Sequence, residues 1–179
     1  MKLKYIFMSF VGCLALASCS EKDFLDIKPQ GTLSDEVLFS DEGVDYLMNA
    51  AYAAHMGPAP RQAYVHPTNN WSYGSVRGDD AYKGGGGTGD VTDIHQMEIF
   101  TVDETNGSVN TKWNYMYQSV KRCNLALQAL AQCTDAFPNR EIRKAEMIAL
   151  RAEYYFELCR LFKHIVWIDE NVPEEEYPL

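Results

Sequence analysis

Between Thr111 and Phe162 the chain carries two runs of apolar residues at helical spacing, divided only by Phe137-Pro138-Asn139, and that pattern restricts the fold more than any other feature. In the first run Trp113, Met116, Tyr117, Val120, Cys123, Asn124, Leu127, Leu130 and Ala131 recur every three or four residues, one face of an α-helix. In the second, Ile142, Ala145, Ala149, Ala152, Phe156 and Cys159 form one stripe, which Tyr155, Leu158 and Phe162 widen. The pattern predicts an all-α hairpin whose second helix is covered from more than one side. The alanines let a neighbouring backbone approach closely, and such a pair normally buries its faces against further hairpins.

A shorter helix precedes it. Ser34 or Ser40 can cap it, with acidic residues near its start where the helix dipole favours them. Val44, Leu47, Met48, Ala51 and His55 keep the helical period until Gly57-Pro58-Ala59-Pro60 ends it. Residues 57 to 110 lose apolar periodicity and turn to Gly, Asn, Tyr and Asp, including the run Gly84 to Gly87 with Gly89 behind it. A loop of this length in a compact chain is functional or disordered. Its aromatics Tyr64, Trp71, Tyr73, Tyr82 and Phe100 argue against disorder.

The N-terminus reads as an export signal. Lys2 and Lys4 precede an apolar run from Tyr5 to Ala17, too short for a membrane-spanning helix, which needs roughly 20 such residues. The run closes on Leu16-Ala17-Ser18-Cys19, a bacterial lipobox. Residues 1–18 are thus the expected signal peptide and Cys19 the lipidated first residue of the mature chain. Several acyl chains on one residue give stable membrane attachment, where one gives only marginal binding. Residues 19–33 are expected to form an extended tether, with Pro29 and Gly31 as breakers. Loss of Lys2 and Lys4 takes the formal net charge from −9 to −11, which argues against a nucleic-acid partner.

Three cysteines remain, Cys123, Cys133 and Cys159. The first two lie ten residues apart on one helix, about 15 Å, too far for a disulfide. Cys159 falls out of register with Cys123 across the hairpin. All three are expected free and buried, as small apolar residues. No Cys-x-x-Cys or Cys/His cluster points to zinc.

The segment Asn69 to Lys83 carries the best candidate chemistry. Sugar rings present apolar C–H faces that stack on Trp or Tyr, and hydroxyl rims that pair with Asp, Asn and Arg. Trp71, Tyr73 and Tyr82 would be platforms, and Asn70, Arg77, Asp79 and Asp80 hydroxyl partners. An alternative stands beside it: Trp71 and Tyr73 pin the loop to the helices, while the aspartates cap turns or pair with Arg77.

Other chemistries fit less well. The glycine run lacks the Gly-Lys-Ser/Thr of a phosphate loop, and its Thr88-Gly89-Asp90 falls one residue late for a calcium repeat. Oxygen ligands for calcium remain in Asp79, Asp80, Asp90 and Asp93. His55, His66, His95 and His164 are scattered. Glu98, Asp103 and Glu104 could form a glycosidase acid pair, which needs carboxyls about 5–9.5 Å apart, but proximity in sequence does not establish that geometry. Neither a catalytic residue, a metal site nor a cofactor is therefore expected.

The lipobox followed by Asp23-Phe24-Leu25-Asp26 and Pro29, the helix Trp113…Tyr117…Val120…Cys123-Asn124…Leu127, and the run Leu150-Arg151-Ala152-Glu153-Tyr154-Tyr155-Phe156…Leu161-Phe162 together resemble the SusD/RagB family. The resemblance implies tetratricopeptide-like helical hairpins over 34–179, as the N-terminal part of a longer domain. It also implies a non-enzymatic nutrient-binding lipoprotein, exposed at the outer membrane, that passes oligosaccharide to a SusC-like TonB-dependent transporter. A surface hydrolase and a transporter lid without its own sugar site are the rival readings. The acidic residues behind Cys19 resemble the surface-export signal of such lipoproteins. Two departures stand out: Lys163-His164-Ile165-Val166 replaces the family's frequent Gly-x-x-Pro, and the 111–163 hairpin is longer than a 34-residue tetratricopeptide unit.

Overall fold

The computed structural model describes residues 34–57, 66–134 and 139–177. The expected signal, tether and Cys19 lie outside them. The described residues are helical and contain no strand. In chain order the helices are α1 (Asp35–Leu38), α2 (Asp41–Ala53), a π-helical turn (Trp71–Val76), α3 (Thr92–Glu98), α4 (Gly107–Gln132) and α5 (Arg140–Phe162). Short 3₁₀ turns follow α2 at Ala54–Met56 and lie near the C-terminal end at Glu174–Glu176.

Ser40 caps α2, its Oγ accepting from the Gly43 amide at 3.1 Å, with Asp41 and Glu42 in the first turn. Gly43 is required there: a Cβ would sit 2.0 Å from the Val37 carbonyl oxygen. α2 buries Val44, Met48 and Ala51 against α4 and α5.

α4 and α5 form the expected antiparallel hairpin. At its closed end Arg140 donates to the Leu130 carbonyl and, at 2.8 Å, to that of Cys133, satisfying carbonyls at the α4 C-terminus. At the open end Trp113 meets Phe162 edge-to-face with centroids 5.0 Å apart. In the middle Arg151, nearly buried, donates to Asn124 Oδ1 at 2.7 Å and also pairs with Glu170. The core between α2, α4 and α5 holds Met116, Val120, Cys123, Leu127, Leu130, Met147, Leu150, Tyr154 and Leu158. This is the all-α, tetratricopeptide-like hairpin arrangement.

Three expectations need correction. The stripe Ile142, Ala145, Ala149, Ala152, Phe156 and Cys159 is the exposed face of α5, with Ile142 at 59% and Phe156 at 63% exposure. The core face is Met147, Leu150, Arg151, Tyr154, Tyr155 and Leu158. Both faces are apolar enough to read as a stripe, and Arg151 interrupts the real one. Cys159 is accordingly exposed, whereas Cys123 and Cys133 are buried; all three are free. Finally, residues 57–110 are not irregular throughout. They contain the π-helical turn and α3, and α4 begins at Gly107 rather than Thr111. These elements escape a periodicity reading because each is short, and α3 buries only Ile94 and Met97.

α5 ends at Phe162 although Lys163 stands where glycine is frequent. Lys163 adopts φ 62°, ψ −74°, and the His164 amide donates to the Phe162 carbonyl at 2.8 Å, a γ-turn of the strained kind. The chain then runs back along the hairpin as a strap. Tyr117 Oη accepts from the Val166 amide (2.8 Å) and donates to its carbonyl (2.9 Å). Tyr155 Oη treats Ile168 the same way, at 2.8 and 2.6 Å.

Candidate functional site

The segment carrying the sequence-predicted site is held from beneath by a buried cation. Lys112, on the first turns of α4, has no exposed surface, and its Nζ donates to the carbonyls of His66 (2.6 Å), Pro67 (2.8 Å) and Asn69 (2.9 Å). Burial pushes this ammonium down to about 8, with Glu157 opposing the shift. A buried charge is tolerable only when its donors are met, as they are here. Asn70 continues the tie: its Nδ2 donates to Glu157 at 2.9 Å, and Glu157 also takes Arg160 at 2.8 Å.

From that anchor the π-helical turn rises. Its five-residue bonds run from the Arg77 amide to Ser72 O (3.3 Å) and from the Asp80 amide to Ser75 O (2.9 Å). The turn directs Ser72 and Val76 inward, Val76 packing with Ile94 and Met97 of α3. Tyr73 also faces in. Its Oη donates to the Ser108 carbonyl at 2.9 Å, its ring lies 5.5 Å from Lys112 Nζ, and burial raises its phenol above the ordinary range.

The outward side carries Trp71, 38% exposed, and Tyr82, 79% exposed. Arg77 covers the ring of Phe100, 5.3 Å from its centroid, and forms no ion pair with either aspartate among the described residues. Asp79 and Asp80 are exposed, and neither side chain has a hydrogen bond or ion pair among the described residues. Phe100, 63% exposed and at φ 60°, was visible in the sequence only as one more loop aromatic; its pairing with Arg77 had no sequence signal.

The glycine run closes beside Trp71. Gly84 and Gly85 adopt φ of 73° and 79°, conformations that disfavour a side chain. The loop wraps Asp90, whose Oδ2 accepts from the Gly86 amide at 2.9 Å; a Cβ on Gly85 would meet that oxygen at 2.1 Å. Lys83 Nζ donates to the Gly87 carbonyl at 3.0 Å and to that of Asp90. Together Trp71, Lys83, Gly84, Gly85, Asp90 and Val91 line a cavity of about 180 Å³.

Three further acids of the loop, Asp93, Glu98 and Asp103, have structural partners. Asp93 accepts from the Ser108 amide (2.8 Å) and Oγ (3.1 Å) at the start of α4. Glu98 takes the Lys83 amide (3.0 Å) and faces His95 Nδ1 (3.1 Å), contacts that hold it below the usual carboxylate range, the Lys83 amide foremost. Asp103 is lowered by the Thr105 hydroxyl and amide. A glycosidase acid needs a raised pKa, so Glu98 and Asp103 are poorly suited to that role. Among the described residues no three His, Cys, Asp or Glu side chains converge to hold a metal ion, and no helix is long and apolar enough to cross a membrane.

Residues 23–177 match the SusD-like family, described as starch-binding and associating with the outer membrane. No curated protein matches the chain.

Proposed function

We propose, on the premise that this chain belongs to the SusD-like family of starch-binding, outer-membrane-associated proteins, that it is a nutrient-binding lipoprotein anchored through Cys19 and exposed at the cell surface. It captures oligosaccharide and delivers it to a SusC-like TonB-dependent transporter, with no chemistry on the ligand. The observation that carries the reading is the outward pair Trp71 and Tyr82 on a segment whose inward side is fastened by Lys112 and Tyr73. Sugar faces stack on Trp71 and Tyr82. Arg77, Asp79 and Asp80 supply hydrogen bonds to hydroxyls, the two carboxylates being unengaged by side chains of the described residues. Asn70 and Tyr73 act as positioning residues, since their polar atoms are taken by Glu157, Lys112 and Ser108. A fastened loop loses little entropy on binding, which favours affinity.

Calorimetric titration with maltoheptaose tests this. Trp71→Ala and Tyr82→Ala should each weaken binding by about tenfold, or about 1.4 kcal/mol, without lowering the unfolding midpoint. Undiminished affinity in the double variant would remove the site from this segment.

A further inference from the structure

A second and larger cavity, about 430 Å³, lies between α4 and the strap. It falls within the range of small-ligand sites, about 300–1,000 Å³. Its wall is aromatic and already braced. The Trp113 indole is held by Tyr117 (centroids 4.7 Å, tilted 48°) and by the edge of Phe162. Tyr117 cannot turn, because its hydroxyl is locked on Val166. Asn124 forms a fixed floor, its amide spent on the Ile168 carbonyl (3.1 Å) and on Arg151. Tyr177 closes one side.

At the rim stand Gln118 and Asn114, both exposed. The Gln118 amide has no partner among the described residues, and that of Asn114 has only a long 3.5 Å contact to Asn110. A carboxamide donates and accepts at once, matching a sugar hydroxyl that does the same. Among the described residues no carboxylate lines the cavity, and Lys121 is the only charged residue there. We infer that this cavity is a second subsite for a neutral oligosaccharide, stacking a ring on Trp113 and binding its hydroxyls through Gln118 and Asn114. It shares no lining residue with the cavity beside Trp71. The ligand class rests on the function proposed above; the placement does not.

The three tryptophans of the chain, Trp71, Trp113 and Trp167, each report a different place. The experiment is ¹⁹F NMR of the full chain, labelled with 5-fluorotryptophan in detergent micelles and titrated with maltoheptaose. Trp71→Phe and Trp167→Phe assign the resonances. The Trp113 signal should shift saturably, and should still do so in Trp71→Ala. Asn114→Ala combined with Gln118→Ala, both at exposed positions, should weaken the affinity read at Trp113 about tenfold and leave the Trp71 response intact. An oligogalacturonate of equal length should leave Trp113 unmoved. A shift at Trp71 alone overturns the second subsite and leaves the first standing. A shift at Trp113 alone upholds the cavity and removes the first. Overturning outcomes also include no shift at either position, an equal response to oligogalacturonate, and indifference to the double substitution.

Discussion

Lys112 gathers three backbone carbonyls without exposing any of its surface, so three ties of the loop above it converge on one side chain. Lys112→Met keeps the length and removes the donors, leaving those carbonyls unsatisfied; the expected loss is about 3 kcal/mol in urea unfolding. The titration of this lysine has its own signature. Because burial lowers it to about 8 from 10.5, the unfolded chain binds more protons between those values, and this group makes stability rise with pH across that window. Cys123, raised by burial from 9.0 to about 12, works in the opposite direction above about pH 9, as do the buried phenols of Tyr73 and Tyr154 above about 10. The rise is therefore cleanest between pH 8 and 9, roughly 1 kcal/mol from pH 7 to 9, and it should vanish in Lys112→Met. Tyr73→Phe should lose about 1 kcal/mol of stability through its bond to Ser108 while sugar affinity holds. The sequence named these loop residues as a set. It could not sort them by direction, because composition carries no orientation: Tyr73 and Tyr82 look alike in the chain and face opposite ways.

Among the elements, α5 shows most clearly where periodicity stops being informative. A helix with alanines on one side and bulky residues on the other offers two stripes, and volume decides which is buried. Leu158→Ala should therefore cost about 2–5 kcal/mol, and Phe156→Gln should change stability by no more than about 0.5 kcal/mol. Chemical denaturation of both variants checks the assignment, and the reverse order would restore the stripe read from sequence. The exit from α5 gives a second test. Lys163 holds a positive φ inside a γ-turn, a strain of about 1–3 kcal/mol, against a smaller entropic cost for glycine. Lys163→Gly should raise stability by about 1 kcal/mol by the same measurement. The two long helices and their break were legible because twenty or more residues of consistent spacing outweigh local exceptions. The π-helical turn and α3 were not, since six or seven residues bounded by glycine and polar side chains hold too few repeats to define a period.

At the scale of the whole molecule, α2 and the α4–α5 hairpin form one core, and a smaller cluster around Val76, Ile94 and Met97 carries the exposed aromatics. The proposed recognition segment is fastened to that core through Lys112 and Tyr73, which suits capture without chemistry. The proposed partner is the transporter barrel, and the proposed anchor is Cys19. The most direct measurement is purification of the tagged lipoprotein from detergent-solubilised outer membranes of its own cell, with mass spectrometry of what accompanies it. The account predicts a TonB-dependent barrel in near-stoichiometric amount with a diacylated or triacylated Cys19. Recovery of the intact, lipidated protein without any such barrel would contradict it.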